Sequence, residues 1–221
     1  MKTKNKHSVK PPALPAKDTA PLASMSLGDE AEYTNFVLNQ YNLSGQESRF
    51  VIFDCAWLKQ VRFNDSQLTK LRLSDIRFDG CDMSNAQWVE LKISRAEIVD
   101  CKLTGFKAPD SDASDCTFLN CIGELVQFHD STFKKTVFQS CQLKGVDFRF
   151  CNLEGSAFID CDLREAEFYN AKLSGTDFRS SELMGIKARP EDLKGAIISS
   201  EQAATLGRHF AVLLGLVVKD D

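Results

Sequence analysis

No run of about 18 apolar residues occurs in this chain, so no membrane-spanning helix is expected. Histidine is scarce: His7, His129 and His209 are scattered, without a mutual spacing that would build a site. There is no Gly-rich phosphate loop, nucleophile elbow or metal-ligand motif, and no CxxC spacing. The reading that follows is a non-enzyme with no cofactor and no metal. The start, MKTKNKHSVKPPALPAKD, is basic but has no apolar core, so it does not read as a secretory leader. It also lacks Arg and an amphipathic period, which argues against a transit peptide. Neither the 3.6-residue period of a helix nor the two-residue period of a half-buried strand is present over most of the chain.

A period of five is there instead. From Phe128 to Leu183 every fifth residue is large and apolar, as in Phe138, Leu143, Phe148, Leu153 and Phe158. The residue two before each is small or modest, as in Thr136, Cys141, Val146, Cys151 and Ser156. Stepping in fives extends the register back to Tyr33 and forward to Ile198 with no insertion or deletion. Its weak slots are Ser48, Ala108, Ala113, Gly123 and Ala188, where a wall could thin or bulge. Such a repeat buries its apolar residues only by stacking on its neighbours.

The blocks CQLKG, VDFRF, CNLEG, SAFID, CDLRE, AEFYN, AKLSG and TDFRS resemble the pentapeptide-repeat family, A(D/N)LXX, over about three-quarters of the chain. The resemblance implies an all-β solenoid, a right-handed quadrilateral β-helix in which one pentapeptide forms one wall and four complete a coil. Residues 20 apart would then stack at about 4.8 Å, giving some 8.5 coils in a rod ~40 Å long.

In that frame seven of the eight cysteines fall at the inward slot two before the centre, and only Cys55 points outward. Cys81, Cys101, Cys121, Cys141 and Cys161 form one column. A disulfide staple or a metal ladder is conceivable there, but no His or carboxylate shares the slot, so packing in a reducing, cytoplasmic setting is the preferred reading. Eight glycines, Gly45 to Gly195, fall at the fifth position, where a corner needs positive φ. Pro109, between Ala108 and Ala113, leaves open whether that stretch is a wall or a looped-out turn.

Three domains are expected: residues 1–30, a disordered basic Pro-rich tail; 31–198, the β-helix; and 199–221, a capping helix and strand. The tail reads as a mobile leader or as a basic arm that touches an acidic partner or a nucleic-acid backbone. Ser199-Ser200-Glu201-Gln202 reads as a helix start, with Ala203, Leu206, Phe210, Leu213 and Leu214 on one face. Gly215 would end that helix, and Leu216, Val217 and Val218 read as a short strand. Phe210, Leu213, Leu214, Leu216, Val217 and Val218 are the expected homodimer interface, because so apolar a tip suits end-to-end pairing.

One wall carries an outward apolar stripe of Val37, Trp57, Val99, Leu119, Val137 and Ile159, a candidate partner surface. Asp79, Glu97, Asp100, Asp160 and Asp177 share that wall with Lys59, Arg77 and Arg179. The ending DLKGAIISSEQAATLGRHFAVLLGLVV resembles the C-terminal segment of the Qnr/MfpA-type proteins. That resemblance implies a dimer that binds type II topoisomerase (DNA gyrase, topoisomerase IV) by DNA mimicry and protects it from quinolones or natural poisons. No direct nucleic-acid or membrane contact is expected. The chain is −4 overall, and removing the tail's five Lys and three acids leaves 22 basic and 28 acidic residues, net −6. The sign suits competition for a basic DNA saddle, but duplex DNA carries a charge every ~1.7 Å, far denser than these mixed walls. An alternative is an interaction scaffold or effector that binds an unidentified protein through an outer face. A charge at Phe148 should break the rod, while one at Arg149 should change little.

Overall fold

The computed structural model describes residues 8–217, and of Leu213 only the backbone. His7 and Val218 lie outside the described residues. Among the described residues no helix is long and apolar enough to cross a membrane.

Parallel strands stack with a constant step of 20. A seven-stranded sheet has the order β1 (Glu32–Asn39), β3 (Ile52–Lys59), β5 (Arg72–Asp79), β7 (Lys92–Val99), β8 (Asp112–Leu119), β9 (Thr132–Gln139) and β10 (Ala157–Ile159). A three-stranded sheet joins β2 (Glu47–Arg49), β4 (Gln67–Thr69) and β6 (Gln87–Val89). The pairs Val37↔Trp57 and Trp57↔Arg77 give the register, and single bridges continue it through Ala157↔Asp177 and Asp177↔Ile197. The chain is therefore an all-β quadrilateral β-helix with one C-terminal helix, as the five-residue period predicts.

From Glu30 to Gly175 every fifth residue is a corner with positive φ, whether or not it is glycine; Asp110, Asp130 and Phe150 lie at 54°, 61° and 60°. One glycine corner has a further reason: a Cβ on Gly195 would crowd the backbone and side chain of Ser174 at 3.0–3.3 Å.

The centre slots fill the interior with aromatic stacks. Phe118, Phe138, Phe158 and Phe178 lie face to face at 4.7, 4.8 and 5.1 Å. Phe128, Phe148 and Phe168 form a second stack with centroids 5.6 Å apart, meeting the first edge-on. The slot two before the centre does more than pack. Its thiols and hydroxyls donate to carbonyls of the preceding coil: Cys121 Sγ to Ile98 O (3.4 Å), Ser156 Oγ to Phe133 O (3.1 Å), Thr176 Oγ1 to Leu153 O (2.7 Å). A small donor suits this slot because those carbonyls are buried. All eight cysteines are free, and burial pushes the Cys116 and Cys151 thiols up to about 12.

The stretch Ala108–Ala113 is a wall. Ala108 N–H donates to Gln127 O (2.8 Å) and Asp112 N–H to Leu91 O (2.9 Å), with no insertion. Large and small have exchanged places here: Phe106 takes the inner slot while Ala108 takes the centre, and both are buried. The exchange is incomplete, leaving an apolar cavity of about 30 Å³ among Trp88, Phe106, Ala108, Ala113, Phe118 and Phe128. Gly123 is needed where it stands, since a Cβ would lie 2.7 Å from Val126 Cγ2.

The stretch before the repeats departs from expectation. Residues 8–30, read from composition as a mobile tail, lie against the rod. Pro21 bridges Val37 and Leu22 N–H donates to Val37 O (2.8 Å), extending the sheet by one short rung. Met25 and Leu27 are buried over the open first coil. Tyr41 exchanges hydrogen bonds with the backbone of Met25 (2.9 and 3.0 Å), and Tyr33 Oη donates to Ser26 O (2.6 Å). The physical reason is that a first coil exposes unpaired strand groups and apolar side chains, which must be covered.

At the other end the helix α1 (Ser200–Leu213) closes the stack. Ser199 and Gln202 form a reciprocal capping box (3.2 and 2.8 Å). Gln202 Nε2 then reaches Phe178 O and Ser181 O at 2.6 Å each, tying the helix to the last coils. Its inward face is Gln202, Leu206 and Phe210, and the expected Ala203 is exposed. The rotation of the helix follows from Gln202 taking the orphaned carbonyls. Leu216 and Val217 belong to no strand, contrary to expectation, because a strand needs a paired edge and the single chain offers none there.

Candidate interaction surface

The expected stripe does lie on one sheet, in two columns. Trp57, Glu97, Val137 and Asp177 follow Val37 in the column before the centre; Asp79, Val99, Leu119 and Ile159 share the column after it. Asp100 and Asp160 sit exposed at the next corner. The stripe is less open than its sequence suggests. Val37 is buried beneath Pro21–Leu22, and Val99 and Val137 are buried between neighbouring side chains, leaving Trp57, Leu119 and Ile159 half-exposed.

Trp57 is the chemical centre of this wall. Lys59 Nζ stands 3.5 Å from its ring centroid and the Arg77 guanidinium 5.8 Å away, a cation–π arrangement. Arg77 in turn bonds Glu97 (2.7 Å) and Asp79 (3.4 Å). The indole N–H is buried without a hydrogen-bond partner, the one such side-chain atom among the described residues.

Acids towards the C-terminal end are neutralised in place. The Asp-x-Arg blocks put a carboxylate and a guanidinium two residues apart on one wall, and each pair closes a fork. Asp147 holds Arg149 at 2.9 and 2.7 Å, Asp162 holds Arg164 at 2.8 and 2.6 Å, and Asp177 holds Arg179 at 2.9 and 2.7 Å. Burial would raise the Asp147 carboxyl, but the Arg149 hydrogen bonds and charge outweigh it and hold it below the usual range. Asp162 is lowered chiefly by its Arg164 fork. Arg149 also reaches Glu167 (3.4 Å), so the expectation that its replacement changes little is corrected: it serves a buried acid.

Exposed apolar groups cluster at the C-terminal tip. Val212, Leu214, Leu216 and Val217 are 60–81% exposed, while Phe210 packs partly on the core. Corner positions add Phe50, Leu125 and Phe150, which the centre-slot pattern cannot reveal because corners lie outside it. His129 pairs with Asp130 (2.9 Å) on an outer wall and His209 leans on Phe210, with no partner chemistry between them. Among the described residues no cluster of three His, Cys, Asp or Glu could hold a metal ion.

A filled four-sided coil with its polar and apolar recognition groups on the outside defines a β-solenoid repeat protein. Residues 111–187 match the family model described as Pentapeptide repeat region, and the same five-residue register runs unbroken to either side of the match. No curated protein matches it. Among solved structures it is similar to a trypsin-treated form of QnrB1, a plasmid-mediated fluoroquinolone resistance protein: 18% identity, 86% of this chain and 100% of that one, TM-score 0.32. It is also similar to HetL, a pentapeptide repeat protein involved in heterocyst differentiation regulation from the cyanobacterium Nostoc: 17% identity, 78% and 91% covered, TM-score 0.27. A third likeness is to Rfr23 from the cyanobacterium Cyanothece: 12% identity, 77% and 90% covered, TM-score 0.24.

Proposed function

We propose that this chain is a non-enzymatic binding protein that pairs with a second copy through its C-terminal tip and presents its outer walls to a protein partner. The observation that carries the reading is the exposed apolar tip, Val212, Leu214, Leu216 and Val217, on a rod whose interior is filled by side chains. Leu216 and Val217 of two copies would pair edge to edge, as neither can within one copy.

For the partner we take type II topoisomerase, engaged by surface mimicry of DNA and thereby protected from quinolone-like or natural poisons. Support comes from the sequence resemblance of residues 192–218 to the Qnr/MfpA-type ending and from the net −6 of residues 31–221. The Asp–Arg forks dilute the acidic field, so contact through shape and apolar anchors outweighs contact through charge. The test is gyrase supercoiling in the presence of a quinolone. Rescue at micromolar protein supports the reading, and no rescue at any concentration removes it.

A second reading, a scaffold for another protein, is favoured by the Trp57 wall. Lys59, Trp57 and Arg77 make a rigid aromatic–cationic anchor of a kind enriched at interfaces. A pull-down that retrieves no topoisomerase subunit, together with loss of the retrieved partner in Trp57→Glu, would select it.

A further inference from the structure

One corner of the rod is built differently along part of its length. It runs from Asn35 through Cys55, Asp75, Arg95 and Asp115 to Lys135, each 20 residues from the next. Both the corner residue and the residue before it are half-buried from Asp54–Cys55 to Ser114–Asp115, and both are exposed at Thr34–Asn35 and Lys134–Lys135. That boundary matches the N-terminal segment. Lys10 N–H donates to Asp115 Oδ1 (3.1 Å) and Ala13 N–H to Asp75 Oδ1 (2.9 Å), while Pro15 is buried.

The spacing is specific. Asp75 and Asp115 are two rungs apart, ~9.6 Å at the usual strand separation. Three residues of polyproline II chain rise ~9.3 Å. Pro11 and Pro12 favour that conformation and have no N–H to leave unpaired, so the two N–H groups flanking them are the two that the carboxylates accept. The segment runs along the rod axis, across the strands, and so cannot join their ladder. Ser74, Ser94 and Ser114 keep the floor low where Lys134 closes it. Arg95 fixes the Asp75 carboxylate through bonds of 2.8 and 2.5 Å.

We propose that this trough is a docking site for an extended, cationic, Lys-Pro-Pro-type segment of a partner protein, which residues 8–15 occupy in cis as a built-in competitor. Two backbone hydrogen bonds to corner carboxylates hold such a segment loosely, and its anchor at Pro21–Leu22 keeps it close at millimolar effective concentration. A partner must therefore bring a better-matched segment or more contacts elsewhere.

Cys55 reports the state of the trough in the full chain, since it is half-exposed there and the other seven thiols are buried. The measurements are its alkylation rate by iodoacetamide and the binding of a fluorescent peptide of sequence SVKPPALP. Lys10→Glu places a like charge beside Asp75 and Asp115; it should raise Cys55 alkylation ~10-fold and allow peptide binding that the wild-type chain blocks. Ser94→Lys fills the floor as Lys134 does; it should raise alkylation equally and abolish peptide binding. A Lys10→Glu chain with a reactive Cys55 that still fails to bind the peptide would show an internal packing site only and overturn the proposal. Unchanged Cys55 reactivity in both variants would overturn it too.

Discussion

The two ends of the rod solve one problem in opposite ways. At the N-terminal end the chain covers its own first coil: Met25 and Leu27 are buried, Tyr33 and Tyr41 lock the backbone above them, and Pro21–Leu22 supplies an extra rung. At the C-terminal end α1 covers the last coil with Leu206 and Gln202, but Val212 in its last turn and Leu214, Leu216 and Val217 after it stand exposed to solvent. A monomer's cap needs only the first arrangement. The difference teaches that covering the core and presenting an apolar surface are separate tasks here, performed at opposite ends.

The strongest break in that comparison is at the exposed tip. Leu214→Asp with Leu216→Asp should abolish pairing, weakening it by well over ~100-fold at about 1.5–3 kcal/mol per apolar side chain, and leave the unfolding free energy of the monomer nearly unchanged. Sedimentation velocity and urea unfolding would check the two halves of that outcome. At the sealed end the pattern should invert: Met25→Asp should cost about 2–4 kcal/mol in urea unfolding without changing the pairing constant.

Between the ends, Arg149→Ala should cost about 1–2 kcal/mol at neutral pH by leaving the buried Asp147 carboxylate without its guanidinium. Asp147 is depressed in the fold, so its stabilisation is fully present above the unfolded carboxylate pKa of ~3.9 and lost as pH falls through the lower folded value. The gap between wild type and variant should therefore shrink from pH 7 to pH 3. The smallest effect is Tyr41→Phe, expected at about 1 kcal/mol for one hydroxyl that exchanges hydrogen bonds with Met25.

Most of the fold was legible because side-chain chemistry recurs at a fixed spacing. The inward Phe and Leu slots, the Gly corners and the buried Cys81–Cys161 column can be read directly off the register. Ala108–Ala113 could not be decided from sequence, because the compensation by Phe106 lies in the neighbouring slot and is visible only once both point into one interior. The N-terminal segment was misread for a different reason. It has few apolar residues, and it is held by backbone N–H groups on carboxylates 62 and 105 residues away, which composition does not register. The stripe from Val37 to Ile159 was placed on the correct wall, yet its exposure depended on the covering rung and on adjacent side chains. At the tip, apolar character was legible, whereas the expected strand is absent at Leu216 and Val217, where the single chain offers no edge to pair with.

The central claim is that a five-residue register decides which side chains face inward, and Phe148 and Phe150 test it most directly. Phe148 is fully buried in an aromatic stack, while Phe150, two residues on, is 56% exposed at a corner whose next position is Asn170 at the same backbone conformation. The measurement is the urea unfolding free energy of Phe148→Asn and Phe150→Asn. A loss of about 3–5 kcal/mol in the first and less than ~0.5 kcal/mol in the second is the predicted result. Equal losses, or a larger loss at Phe150, would contradict it.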